Sequence, residues 1–263
     1  MLKKTSEIRK EILANYDDSY ERVKHFKNKY KGKTAYILAS GPSFGHYSKE
    51  FLNEYFKDKL VISIKQTYNV VPDHVDFHLI NFCNLNAYEY SNPDTIVGWT
   101  VWDHVQPHQI LNSGLRCDYI LDTYKLGDGT ANIDNCVAVQ KDFEKLSMDT
   151  SFARPWGPGM MYELAIPLAV YLGCSKVVTL GWDLFGNAIE KYKEENESMT
   201  QDHYFKDLTF EQTRTRITKK EIVSVIESTE GLNKWLKDQN VELEIVDPIG
   251  DNPAHNSISR IVL

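Results

Sequence analysis

Two spacings of apolar residues alternate along this 263-residue chain, and they predict different elements. Across residues 5–31, Ile8, Ile12, Tyr16, Tyr20, Val23, Phe26 and Tyr30 recur every three or four positions, the spacing of one helical face. Thr5 or Ser6 can cap its start, and Gly32 ends it. The other face is mixed and rather basic, so the apolar stripe is expected to dock on the rest of the domain. Residues 49–56, 157–172 and 219–236 also read as helices. In the second of these, Pro158 and Gly159 mark the start, Gly173 marks the stop, and Pro167 predicts a kink or a local loss of hydrogen bonding.

Short apolar runs lie between these segments. The run from Thr34, then 60–64, 76–82, 95–101, 117–122, 137–139, 176–180 and 241–246, read as strands. Strand, helix, strand in this order predicts an α/β fold, a mostly parallel sheet flanked by helices, with the strands' C-terminal ends along one edge. Residues 126–135, rich in Gly, Asp and Asn, read as a loop. Residues 185–218 are polar, charged and aperiodic, and they follow a strand's C-terminal end, where lids over active sites are found. With no internal repeat or linker in view, residues 1–263 are expected to form a single domain, with 1–32 as an N-terminal helix and about 185–218 as a lid.

The first strand runs into Ser40-Gly41-Pro42-Ser43, where Gly41 allows close backbone approach to a ligand, Pro42 fixes a turn, and two serines bring hydroxyls to the strand end. Open α/β sheets bind nucleotides at such ends, although an ordinary strand-to-helix turn has the same composition. No Gly-Lys-Ser/Thr follows, so this is not a Walker A loop. Gly181-Trp182-Asp183 ends a second strand, and Asp183 suits either ribose or base hydrogen bonds or the capping of the next segment.

Composition narrows the classes. The chain is 42% hydrophobic and 25% charged, as soluble globular proteins are, and lacks both a membrane-spanning apolar run and a secretory leader, so a cytoplasmic location is expected. A net charge of -7 argues against broad contact with nucleic acid. Cys83, Cys117, Cys136 and Cys174 are widely spaced and read as reduced core residues. The absence of Asp-x-Asp removes the usual carboxylate cradle for a metal-bound sugar diphosphate, and Pro107 between His104 and His108 argues against a zinc site. No metal is expected. In the lid, His203 lies between Asp202 and Tyr204 and can serve as a general base at neutral pH or be a solvated loop histidine. Arg214, Arg216, Lys219 and Lys220 form a basic cluster suited to phosphate, a sugar carboxylate or anionic lipid, which leaves peripheral membrane contact open.

Taken in order, these segments resemble the small bacterial sialyltransferases that use CMP-sialic acid, and the related motility accessory factors and hydroxymethylpterin pyrophosphokinase-like proteins. The resemblance runs over roughly residues 34–250: the strand into Gly41-Pro42-Ser43, then Lys65-Gln66-Thr67-Tyr68, then Asn81, then Gly159 to the Gly-x-Asp of residues 181–183, and finally Tyr192 and Asp202-His203-Tyr204. It implies a Rossmann-like nucleotide-binding domain and metal-independent, inverting transfer of a sialic-acid-like sugar from a CMP donor to a glycan or protein hydroxyl, without a cofactor. On this likeness Ser40, Gly41, Pro42, Ser43, Lys65, Gln66, Asn81, Gly159, Gly181, Asp183 and Phe185 line the nucleotide. His203 acts as base, Tyr192 supports the departing phosphate, and Tyr204 stands beside them. The chain departs from the pattern at Ser40 and Lys65, where asparagines are expected, and at Phe185, where a tyrosine is. Lys65 and Lys125 also suit a more highly charged nucleotide, which keeps open an ATP-dependent pterin pyrophosphokinase-like enzyme, as well as a noncatalytic nucleotide- or glycan-binding protein. Homo-oligomerisation is left open too.

Overall fold

A computed structural model describes residues 2–81, 88–101, 110, 114–125, 143–156, 159–183, 198–201, 215–248 and 258–263. In chain order the elements are α1 (Leu2–Asn15), α2 (Ser19–Lys24), β1 (Thr34–Leu38), α3 (Lys49–Phe56), β2 (Leu60–Ile64), β3 (Phe77–Asn81), β4 (Ile96–Val101), β5 (Tyr119–Lys125), β6 (Arg154–Trp156), α4 (Ile166–Tyr171), β7 (Lys176–Leu180), β8 (Ser198–Gln201), β9 (Thr215–Thr218), α5 (Lys219–Asp238), β10 (Glu242–Val246) and β11 (Ser259–Ile261). Nine strands form one sheet in the order β11-β10-β7-β1-β2-β3-β4-β5-β6, and every pairing within it is parallel. The fold is α/β, as the alternation of strands and helices predicts, and Rossmann-like.

Every residue of β2, β3 and β4 is buried, which is why these strands read as unbroken apolar runs. Residues alternate between the two faces of the sheet. Ala35 and Ile37 join Ile8, Ile12, Val23, Phe26, Leu168, Leu232 and Leu236 on one face. Leu38, Val61, Val178 and Leu180 meet Leu52 and Phe56 of α3 on the other. Burying each such aliphatic side chain contributes roughly 1.5–3 kcal/mol, so covering both faces is what holds the sheet.

The N-terminal stripe docks on the sheet, but not as one helix. Asp18 accepts hydrogen bonds from the backbone N–H groups of Tyr20 and Glu21, so its carboxylate starts α2 and breaks the run after Asn15. α1 crosses the N-terminal end of the sheet, where a row of aspartates receives it: Thr5 Oγ1 donates to Asp76, Ser6 Oγ donates to Asp94 at 2.8 Å, and Arg9 forks onto Asp118 at 3.1 and 2.8 Å. Asp76 and Asp118 also accept the backbone N–H of Val61 and Val97, at 2.9 and 2.8 Å, and so satisfy donors where β2 meets β3 and β4 meets β5.

The helix expected over 157–172 has a different form. Met161–Ala165 is a π-helical turn, with Ile166 N–H donating to Met161 O, and α4 begins after it. Pro167 lacks an N–H, and the wider turn lies directly before it, where the regular hydrogen-bond ladder is interrupted. Gly173, at φ +81°, ends the helix as predicted. Residues 126–135 and 137–139 lie outside the described residues. In 185–218, read as aperiodic, β8 and β9 form an antiparallel ribbon, with Ser198 opposite Thr218. Their short threonine-containing runs gave no alternating apolar pattern. β6 and β11, three residues each, were also missed. Among the described residues no helix is long and apolar enough to cross a membrane.

Candidate functional site

The strand order reverses at β1: the chain proceeds outward through β2 to β6 and returns to β7 on the opposite side of β1. Such a reversal opens a crevice at the C-terminal strand ends, the usual ligand position in open α/β sheets. The two loops flanking it are Ser40–Ser43 and Gly181–Asp183. Ala39 N–H donates to Leu180 O at 2.8 Å and Gly41 N–H to Gly181 O at 2.7 Å, carrying the pairing past the strands. Gly181 N–H then donates to Ser43 Oγ at 3.0 Å, and Ser43 N–H donates to Asp183 Oδ2 at 2.8 Å. The two sequence signals form one bonded unit.

The geometry gives Gly41 a role within the protein itself. A Cβ there would lie 2.4 Å from Asp183 Oδ2 and 2.5 Å from Gly181 O, so the close approach that glycine permits is to the partner loop. Gly181, at φ +77°, is equally constrained, since its Cβ would lie 1.9 Å from Ala39 O. Asp183 therefore caps the opposite loop with one oxygen. Burial pushes its carboxyl above the ordinary range, hydrogen bonds from Ser43 oppose that, and the Asp247 charge adds to it. Pro42 opens a short 3-10 turn, Pro42–His46.

The pentapeptide Gly41-Pro42-Ser43-Phe44-Gly45 also has the Gly-x-Ser-x-Gly spacing of a nucleophile elbow, a match the sequence reading passed over. The geometry is not that of an activated serine. Ser43 is buried, its Oγ accepts the Gly181 N–H, and it is not among the residues with positive φ.

One strand over, Lys65 and Gln66 are half-buried at the end of β2, and Thr67 ties them to β1, its hydroxyl 2.8 Å from Leu38 O and accepting Ile64 N–H at 2.9 Å. Lys65 is in the left-handed region at φ +52°. Its carbonyl meets Nε2 of His78 at 2.8 Å. Asn81 ends β3, buried and in register with Thr100. Gly159, at φ +99° with open space around its Cα, precedes the π turn, and its N–H donates to Glu163 Oε1 at 3.1 Å. The Tyr162 ring meets the Trp182 ring edge-on at 5.7 Å, which brings this helix start to the Gly-Trp-Asp end.

The structure thus brings Ser40, Gly41, Pro42, Ser43, Gly181 and Asp183 together and sets Lys65, Gln66, Asn81 and Gly159 along the same sheet edge. Phe185, Tyr192, His203 and Tyr204 lie outside the described residues, as do Arg214, His104 and His108. Sequence reasoning missed His78 and Glu163, and named Thr67 only as part of a polar stretch. A histidine inside an otherwise apolar strand was the available signal for His78, and a glutamate inside an apolar helix for Glu163.

A separate cleft of ≈ 440 Å³ lies beside β5, four strands from β1, lined among others by Asp17, Asp18, Tyr20, Arg22 and Asp122. Tyr20 OH donates to Asp122 within it at 2.8 Å. Its carboxylates give it no phosphate-binding character.

Comparison with known protein families and with curated proteins finds no match to this chain. What defines the class is the architecture: a Rossmann-like parallel sheet with a strand-order reversal at β1 and β7.

Proposed function

We propose that this chain is a glycosyltransferase that moves a sialic-acid-like sugar from a CMP-activated donor to a glycan or protein hydroxyl. The observation that carries the reading is the bonded pair of Gly-Pro-Ser and Gly-Trp-Asp loops at the strand-order reversal. It agrees with the motif order on which the resemblance rests. In this reading the nucleotide lies over those loops, with Lys65, Gln66 and Asn81 along its length. The acceptor oxygen attacks the anomeric carbon, the bond from that carbon to the phosphate oxygen breaks, and CMP leaves with the electron pair. His203 takes the acceptor's proton, and Tyr192 and Tyr204 stabilise charge growing on the phosphate.

Calorimetric titration with CMP and CMP-sugars is the direct test, and absence of binding up to millimolar concentration would overturn the proposal. His203→Ala is expected to abolish transfer while CMP still binds; unchanged turnover would remove His203 as the base. If the chain instead releases AMP from ATP in a magnesium-dependent reaction, the pyrophosphokinase reading replaces this one.

A further inference from the structure

His78 is fully buried in β3, yet each of its ring nitrogens has a partner. Nε2 lies 2.8 Å from Lys65 O, which can only accept, so Nε2 carries the proton. Nδ1 is then the acceptor, and Tyr90 OH, at 2.8 Å, donates to it. The ring is held on its faces as well: Tyr68 stacks at 4.9 Å and 29°, and Tyr88 meets it edge-on at 4.5 Å and 86°. Burial pushes the imidazole down to about 3, so it stays neutral and keeps this tautomer at physiological pH.

The bond falls on an unusual residue. Lys65 is a non-glycine residue at φ +52°, a conformation that strains any L-residue with a Cβ. A turn that needed only this shape would be served better by glycine. Instead the chain places a cationic side chain there, one strand from the β1 and β7 crevice, and fixes its carbonyl from beneath with a fully bonded histidine. We propose that His78 is a positioning residue, holding Lys65 in the left-handed conformation that lets its ammonium meet the phosphate of a nucleotide bound at the crevice. The inference rests on the nucleotide-binding reading above and deepens it by giving Lys65 the phosphate and His78 the task of aiming it.

The experiment compares affinities for CMP and cytidine, whose difference isolates the phosphate contribution. Wild type is expected to bind CMP more tightly, and Lys65→Met to lose that advantage while holding cytidine unchanged. His78→Leu is expected to reduce the advantage about tenfold, the size of one net hydrogen bond to a neutral group, and His78→Gln, whose amide N–H can reach Lys65 O, to restore most of it. Tyr90→Phe, which removes only the donor to Nδ1, reads the same coupling should the leucine variant not fold, and a smaller loss of the CMP advantage is expected. If wild type shows the advantage and His78→Leu and Tyr90→Phe both retain it, or if the variants weaken cytidine and CMP equally, His78 is only a core residue and the inference fails. Wild type that binds neither ligand would instead sink the nucleotide reading itself.

Discussion

At the scale of single residues, two glycines hold the crevice together because nothing larger fits. Gly41 faces the Asp183 carboxylate and the Gly181 carbonyl, and Gly181 faces the Ala39 carbonyl. In both cases the obstacle is backbone or a hydrogen-bonded carboxylate, so relief requires the loops to part. Gly159 is the useful contrast: its φ of +99° is unfavourable to other residues, but its surroundings are open. Gly181→Ala combines both penalties and is expected to destabilise the fold by about 2–4 kcal/mol, Gly41→Ala by about 1–3, and Gly159→Ala by about 1. Urea denaturation gives the three values. A ranking with Gly159→Ala as the most damaging would show that backbone strain, and not the contact between the two loops, dominates here.

At the scale of elements, α1 is attached through polar side chains that meet the sheet's N-terminal end, and one of them titrates in an informative range. Asp76 is buried, and desolvation pushes its carboxyl from 3.8 up to about 7, against opposing hydrogen bonds from Thr5 and the Val61 N–H. The folded protein therefore holds this proton more tightly than the unfolded chain does. The stability that results is fully present below the ordinary carboxylate pKa and is lost as pH rises through about 7. Asp76→Asn cannot titrate, so its thermal midpoint relative to wild type should rise between pH 4 and pH 8; a pH-independent difference would mean that Asp76 is ionised throughout. The docking of α1 was legible from its apolar stripe, because Ile8 and Ile12 are buried, whereas the aspartate row was not. Asp76, Asp94 and Asp118 are far apart in sequence and come together only when parallel strands align their first residues. The strands with every side chain buried were read almost to the residue, as β2 and β4 show, because burial on both faces leaves an unmistakable apolar run. The ribbon of β8 and β9 and the three-residue edge strands are too short and too polar in sequence to leave one.

At the scale of the whole molecule, the crevice lies where the two wings of the sheet join, and this gives ligand binding a signature that local contacts alone would not. One wing runs from β1 through β2 to β6, the other from β7 through β10 to β11, and at their C-terminal ends they are joined by the bonds from Ala39, Gly41 and Ser43 to Leu180, Gly181 and Asp183. The sequence could name both loops but not their contact, because 140 residues separate Ser43 from Asp183 and neither motif encodes its neighbour. A nucleotide bound across this seam interacts with both wings at once, so it should suppress their local parting as well as global unfolding. At a hundredfold excess over its dissociation constant, CMP is expected to add about 2.7 kcal/mol to the unfolding free energy, by mass action alone. Hydrogen exchange should place the added protection at the Ala39, Gly41, Ser43 and Gly181 amides, with the amides of α1 changed only through the global increment. Protection centred on Ser19, Tyr20 and Ile120 would assign the ligand to the acidic cleft beside β5. A Gly181→Ala variant sharpens the distinction: with the loops forced apart it should lose CMP-dependent protection on both wings together, since neither loop holds the nucleotide without the other.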